Sequence, residues 1–310
     1  MTTAAARIWH DLGPGGRRST VLLTAGAIAL FFVVRFLPTG TNLNHMDFRV
    51  EGKSALEFCD PANPQFIPVL SARSPVALTL VNEQPPRMNH ESRFVLTMRT
   101  ANGKPIAPED LVVAHTRKLH LMVVDPTVQD YQHIHPEPGR HPGEWVFSLT
   151  PNRAGVYRVF ADFTPVATQR GLYASADFTV PGEVATVSRA SNTTYLAGGL
   201  EFALLGPPLW HARQPIDLKF RIQSQGAEKQ PIVLEPVMDA FAHLVAFDEN
   251  RSGFAHLHPR QTDLSQKPDA LRPQFDFKVT IPTSGRYVIW AQVKIGGQEM
   301  FVPFWIDVFP

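Results

Sequence analysis

At 310 residues the chain has room for two ordinary domains, and 44% apolar against 18% charged residues marks a folded protein, not a disordered one. A formal net charge of +1, with no basic aromatic patch, sets nucleic acid aside as a partner. The single cysteine, Cys59, excludes an internal disulfide, so each domain must rely on its core.

In chain order, the first element is an apolar stretch from Ser19 to Leu37, interrupted only by Arg35 near its far end. As a helix it spans ~28 Å, close to the hydrocarbon thickness of a bilayer. Arg35 can snorkel to the headgroups. Arg7, Arg17 and Arg18 precede the segment, and the next basic residue after Arg35 is Arg49. The positive-inside rule then predicts a cytoplasmic tail over 1–18, a transmembrane anchor over 19–37 and everything beyond on the other side. No small-x-small cleavage site follows the apolar run, which favours an anchor over a cleaved signal peptide. Residues 38–72 read as an irregular Pro- and Asn-rich stalk, with Cys59 a buried or idle thiol within it.

After residue 72 strand signals dominate. Short β-rich runs bounded by Pro, Asn or Gly are predicted over 76–80, 93–99, 119–124, 145–149, 157–163 and 176–180. A second series covers 200–205, 216–222, 241–247, 275–279, 287–293 and 301–308, and no comparable stretch shows a capped helical period. The spacing predicts an all-β protein: two tandem immunoglobulin-like antiparallel β-sandwich domains, 73–181 and 182–310, after one N-terminal transmembrane helix.

The two series are copies of one another. His120-Leu-Met-Val-Val-Asp125 is followed thirteen residues after its histidine by His133-Ile-His-Pro136, and His243-Leu-Val-Ala-Phe-Asp248 in the same way by His256-Leu-His-Pro259. Downstream, Ala154-Gly-Val-Tyr-Arg-Val-Phe-Ala-Asp-Phe163 matches Ser284-Gly-Arg-Tyr-Val-Ile-Trp-Ala-Gln-Val293. A period of domain size marks a duplicated module, not a solenoid unit.

These motifs, with Leu234-Glu-Pro236 in the second copy and Tyr131-Gln-His-Ile-His-Pro136 in the first, resemble a bacterial family of exported β domains. The resemblance covers residues 73–308. It implies secreted or membrane-tethered bacterial domains that sometimes accompany copper-handling proteins, and it does not extend to the stalk or anchor. The N-terminal segment and its flanking charges are what predict a single-pass protein of the inner membrane with its bulk in the periplasm.

His133 and His135 alternate by two, so in a strand both rings share one face, and a hairpin-like return brings His120 alongside. Three converging imidazoles suit copper or zinc, and His243, His256 and His258 repeat the set. His115 and His141 are further candidates for the first site only. A structural alternative is equally concrete: a histidine near a sheet edge can bond a backbone carbonyl and fix a loop, and duplication would copy that device too. The sequence favours the structural role, with no cofactor and metal binding as the alternative.

No nucleophile elbow, phosphate loop, His-Glu-x-x-His or dinucleotide fingerprint is present, so the chain reads as a non-enzyme without catalytic residues or a small-molecule substrate. Asp125 and Asp248 read as turn residues. The leading expectation is an accessory subunit bracing a larger membrane complex, photosynthetic reaction-centre first and respiratory second. Trp145, Trp210 and Trp305 are its candidate contact residues, with packing in a core the favoured alternative for any one of them. The rival is a periplasmic copper- or zinc-binding protein for metal delivery or resistance.

Overall fold

The computed structural model describes residues 12–36, 43–49, 64–187, 190–226 and 228–310, in two compact units, 1–42 and 43–310. The expectations for Arg7, Cys59, the Arg35 side chain and much of the tail and stalk lie outside the described residues.

In the first unit, helix α1 runs Pro14–Phe36. It starts earlier than the apolar run, because Pro14 in the first turn costs no intrahelical bond and Gly13 offers its carbonyl to the Arg17 amide at 3.0 Å. Arg17 and Arg18 therefore lie within the helix. Pro14–Val34 has a mean hydropathy of 1.5 and is long and apolar enough for a membrane anchor or a signal sequence.

The second unit is all-β, two immunoglobulin-like sandwiches in tandem. In the first, β1 (Val76–Asn82), β2 (Ser92–Thr100), β6 (Glu144–Leu149) and β5 (Glu137–Pro138) pair in that order as one sheet. The facing sheet is β4 (Tyr131–Ile134), β3 (Leu119–Val124), β7 (Gly155–Phe163) and β8 (Leu172–Val180). The second sandwich repeats this plan. β16 (Gln274–Thr280), β12 (Pro215–Ser224), β10 (Leu200–Leu205) and β9 (Thr194–Ala197) form its outer sheet. β15 (Phe254–Leu257), β14 (His243–Asp248), β17 (Gly285–Ile295) and β18 (Gln298–Phe309) form the inner one, extended by β11 (Trp210–His211) beside β18 and β13 (Leu234–Glu235) beside β17. Every strand predicted from sequence is present. The short strands β4 and β15, which carry His133 and His256, were not among them.

Each copy closes with the same tyrosine device. Tyr157 receives the Arg153 amide at 3.0 Å and donates to Asp130 at 2.6 Å; Tyr287 donates to the Thr283 carbonyl at 3.0 Å. A tyrosine hydroxyl bonding four residues back is the corner brace of immunoglobulin-like sandwiches. Asp125 and Asp248 are turn residues as read: Asp125 accepts the amides of Thr127, Gln129 and Asp130, and Asp248 those of Ser252 and Gly253.

The two inner sheets pack against each other. Along β3, Leu119, Leu121 and Val123 enter the first core, while Met122 and Val124 point the other way. Along β14, Leu244 and Ala246 enter the second core, while Val245 and Phe247 point out of it. The outward sets meet Tyr131, Phe160, Phe254, Val288, Trp290 and Trp305 in a third apolar cluster, the seam between modules. Every residue of β3 and of β14 is thus buried, which is why both read as nearly continuous apolar runs. Arg158 donates to the Arg251 carbonyl at 2.9 Å, and Arg251 to the Val156 carbonyl at 2.6 Å, across the same seam.

The described part of the expected stalk is irregular but docked. Phe48 is buried in the first core, Phe66 in the second, and Ile67 and Val69 in the seam. Asp47 pairs with Lys104 at 2.6 Å. Ile67 and Phe254 exchange backbone bonds at 2.7 and 3.1 Å, an approach that leaves no room for a side chain at Gly253.

Candidate metal centre

The registers Met122↔His133 and Val245↔His256 put His133 next to His120 on one sheet face and His256 next to His243 on the other. His120 and His243 occupy the position in β3 and β14 that points into the seam, one residue before Leu121 and Leu244 of the cores. In each module three ring nitrogens, one per histidine, lie within 4.8 Å of one another: His120, His133 and His135 in the first, His243, His256 and His258 in the second. His120 is 3% exposed and His243 fully buried.

Hydrogen bonds fix where the lone pairs point. His120 gives its Nε2–H to the Ala114 carbonyl at 3.0 Å, which leaves Nδ1 unprotonated in a neutral ring. His133 gives its Nδ1–H to Gln292 Oε1 at 2.9 Å, and Gln292 is held in that sense by donating its Nε2 to Glu299 at 2.7 Å. The freed His133 Nε2 then faces His120 Nδ1 at 3.3 Å, and His135 Nε2 faces the same atom at 3.2 Å. Two lone pairs at that distance repel unless a cation lies between them. Metal–nitrogen bonds of about 2.0 Å put tetrahedral ligand nitrogens ~3.3 Å apart, so the spacing suits a metal ion.

The second triad is less satisfied by protein groups. Among the described residues, neither ring nitrogen of His243 has a partner and His256 Nε2 has none, although all three are buried. An orphaned buried imidazole is costly, and a ligand role accounts for it. His256 Nδ1 lies 3.4 Å from Asp162. Burial drives His120 down to about 4 and His135 and His258 down to about 3, and it holds His133, His243 and His256 well below the usual imidazole range. All six are therefore neutral near pH 7, the form that ligates. Burial pushes the Asp162 carboxyl up to about 7.

The orienting groups are exchanged between modules. Strand pairing sets Asp162 opposite His120 and Gln292 opposite His243, equivalent positions in the two copies. Yet Gln292 of the second module holds His133 of the first, and Asp162 of the first holds His256 of the second. This reciprocity is that of an isologous contact, made here within one chain. The repeat itself aligns Asp162 with Gln292, so the pair was visible in the sequence, but nothing local showed that each serves the other copy's histidine.

Of the added candidates, His115 joins and His141 does not. His115 stacks on His258 of the other module, centroids 3.7 Å apart, and meets His120 of the first triad, to which the sequence had assigned it, edge-on at 6.4 Å. Its positive φ of 49°, in the turn closed by Ala114 and Arg117, aims the ring across the seam. His141 is exposed and away from the cluster. Trp145, Trp210 and Trp305 take the core-packing alternative and not the contact role. At 1%, 5% and 4% exposure they pack in the two cores and the seam and offer no surface for a partner.

Residues 74–185 and 194–309 each match one family model, described as a domain of unknown function, DUF8832. The chain belongs to that family, with two copies of its domain in tandem. No curated protein matches the chain in sequence. Among solved structures, Salmonella alpha-2-macroglobulin is similar, as a mutant (15% identity over 76% of this chain, TM-score 0.24) and after reaction with methylamine (14% over 84%, TM-score 0.24). E. coli alpha-2-macroglobulin in its native conformation matches at 13% identity over 76% of the chain, with a TM-score of 0.25. The chain spans 16%, 18% and 17% of those three chains respectively.

Proposed function

We propose that this DUF8832 protein binds a late first-row divalent metal, copper in preference to zinc, at the paired histidine triads between its modules. The observation that carries the reading is the convergence of His120 Nδ1, His133 Nε2 and His135 Nε2, two of them with their other nitrogen already donating to an oxygen. An all-imidazole donor set accepts copper or zinc, and for equal geometry copper binds more tightly. The reading extends to an exported protein of the bacterial inner membrane, tethered by α1 with its modules in the periplasm and acting in metal delivery or resistance rather than catalysis. It takes precedence over an accessory subunit of a photosynthetic or respiratory complex, because the tryptophans named as contacts are buried while the histidines converge.

The test is a competition titration of the full chain, purified in detergent and stripped with chelator, with Cu(II) and Zn(II). Tight stoichiometric binding is expected, with affinity at the first triad reduced more than 100-fold in His120→Ala, since loss of even an orienting partner costs roughly 10–100-fold. Wild-type protein that releases all copper to a weak chelator would overturn the reading.

A further inference from the structure

The two triads are one cluster. Ring centroids are 5.2 Å apart for His133–His256 and 5.7 Å for His120–His256, across the module seam. Within the triads the distances run from 4.7 Å for His256–His258 to 5.9 Å for His243–His256, so the seam is no wider than the spacing inside either site. Each triad also takes an orienting group from the opposite module. Three nitrogen donors leave a fourth position open on each ion, and the donor sets contain neither thiolate nor carboxylate.

Charge then decides what else must be present. Two divalent ions would bring four positive charges into a buried seam. Among the described residues, the carboxylates hydrogen-bonded to the triads or to their orienting groups are Asp162, against His256, and Glu299, which acts through Gln292. Imidazoles add no negative charge, so the remaining excess calls for an anion at the open positions.

Resting on the metal-binding reading, we propose that the seam holds two copper ions at once, one per triad, as a coupled pair bridged by a small oxygen anion. Hydroxide is the simplest bridge: it forms from water bound between the ions, with the proton released to solvent and no change of oxidation state. Ions sharing such a bridge lie about 3.5–4 Å apart. Azide, a small anion of the same charge, would displace it. Neither site is complete without the other module, so the pair exists only in the docked tandem.

The experiment uses the full chain in detergent, loaded with Cu(II), freed of excess metal and measured by elemental analysis and electron paramagnetic resonance. The expected result is two coppers per chain with a resonance integrating to less than about a tenth of that copper, because spins couple through the bridge of a two-metal site. Azide should add a charge-transfer absorption band. His133→Ala and His256→Ala should each keep one copper and recover one full spin per copper. One copper per wild-type chain would overturn the pair and leave the metal reading standing. Two coppers with two full spins would overturn the bridge. No tightly held copper would overturn the metal reading itself. The wild-type count and spin decide these outcomes even where a variant fails to fold.

Discussion

At the scale of single residues, the centre depends on the side chains that aim the rings as much as on the rings. A histidine with one nitrogen tied to an oxygen has its tautomer decided, and Gln292 does this for His133 while Glu299 keeps the amide from turning over. Gln292→Ala keeps every histidine in the chain and removes this orientation together with the bond to Glu299. Copper affinity at the first triad is expected to fall about 10–100-fold, measured by competition titration, with the second triad little changed. An equal loss at both triads would mean that Gln292 supports the seam and not one ligand. The triads themselves were legible in the sequence, since His133 and His135 two apart, and His120 thirteen residues before, define one sheet face once a hairpin is assumed. The orienting roles of Gln292 and Asp162 were not, because their partners lie in the other copy.

At the scale of elements, strands emerged from the sequence more completely than the segments around them. Alternation along β2 or β12 marks a strand with one face in a core. The stretch before the first module has no such period and was read as a spacer, yet it places Phe48, Phe66 and Ile67 into three separate apolar clusters. An irregular chain can dock where its backbone finds partners, and Ile67 finds them on Phe254, with Gly253 giving the clearance. A Cβ at Gly253 would stand 1.8 Å from the Ile67 carbonyl oxygen. Gly253→Val is therefore expected to lift the 64–72 segment off the sheet and to cost about 2–3 kcal/mol, read by denaturant unfolding and by new proteolytic cleavage near Pro68. Unchanged cleavage there would show that the segment is held by its buried side chains alone.

At the scale of the whole molecule, the seam turns two sandwiches into one cooperative body. Phe160, Phe247, Phe254 and Trp290 are buried between modules, each worth roughly 1.5–3 kcal/mol in burial. An interface so apolar makes independent unfolding of the modules unfavourable. Calorimetry of the metal-free chain is expected to give one transition for the β unit. Free copper at 100 times the dissociation constant should raise its stability by about 2.7 kcal/mol per site. Two separate transitions, with copper moving only one, would contradict a centre shared across the seam.

The sequence by itself determined the duplication, the all-β class, the positions of the longer strands and the two histidine triads. These depend on local chemistry: alternation of period two, turn residues between runs, and a fixed spacing inside each copy. Tertiary structure decided that the copies meet face to face, that six histidines form one cluster, and that each module orients a histidine of the other. Its physical reason lies in β3 and β14, which bury both faces. Burial on two sides removes the alternation that would tell one face from the other, so the seam leaves no local mark until the sheets are packed.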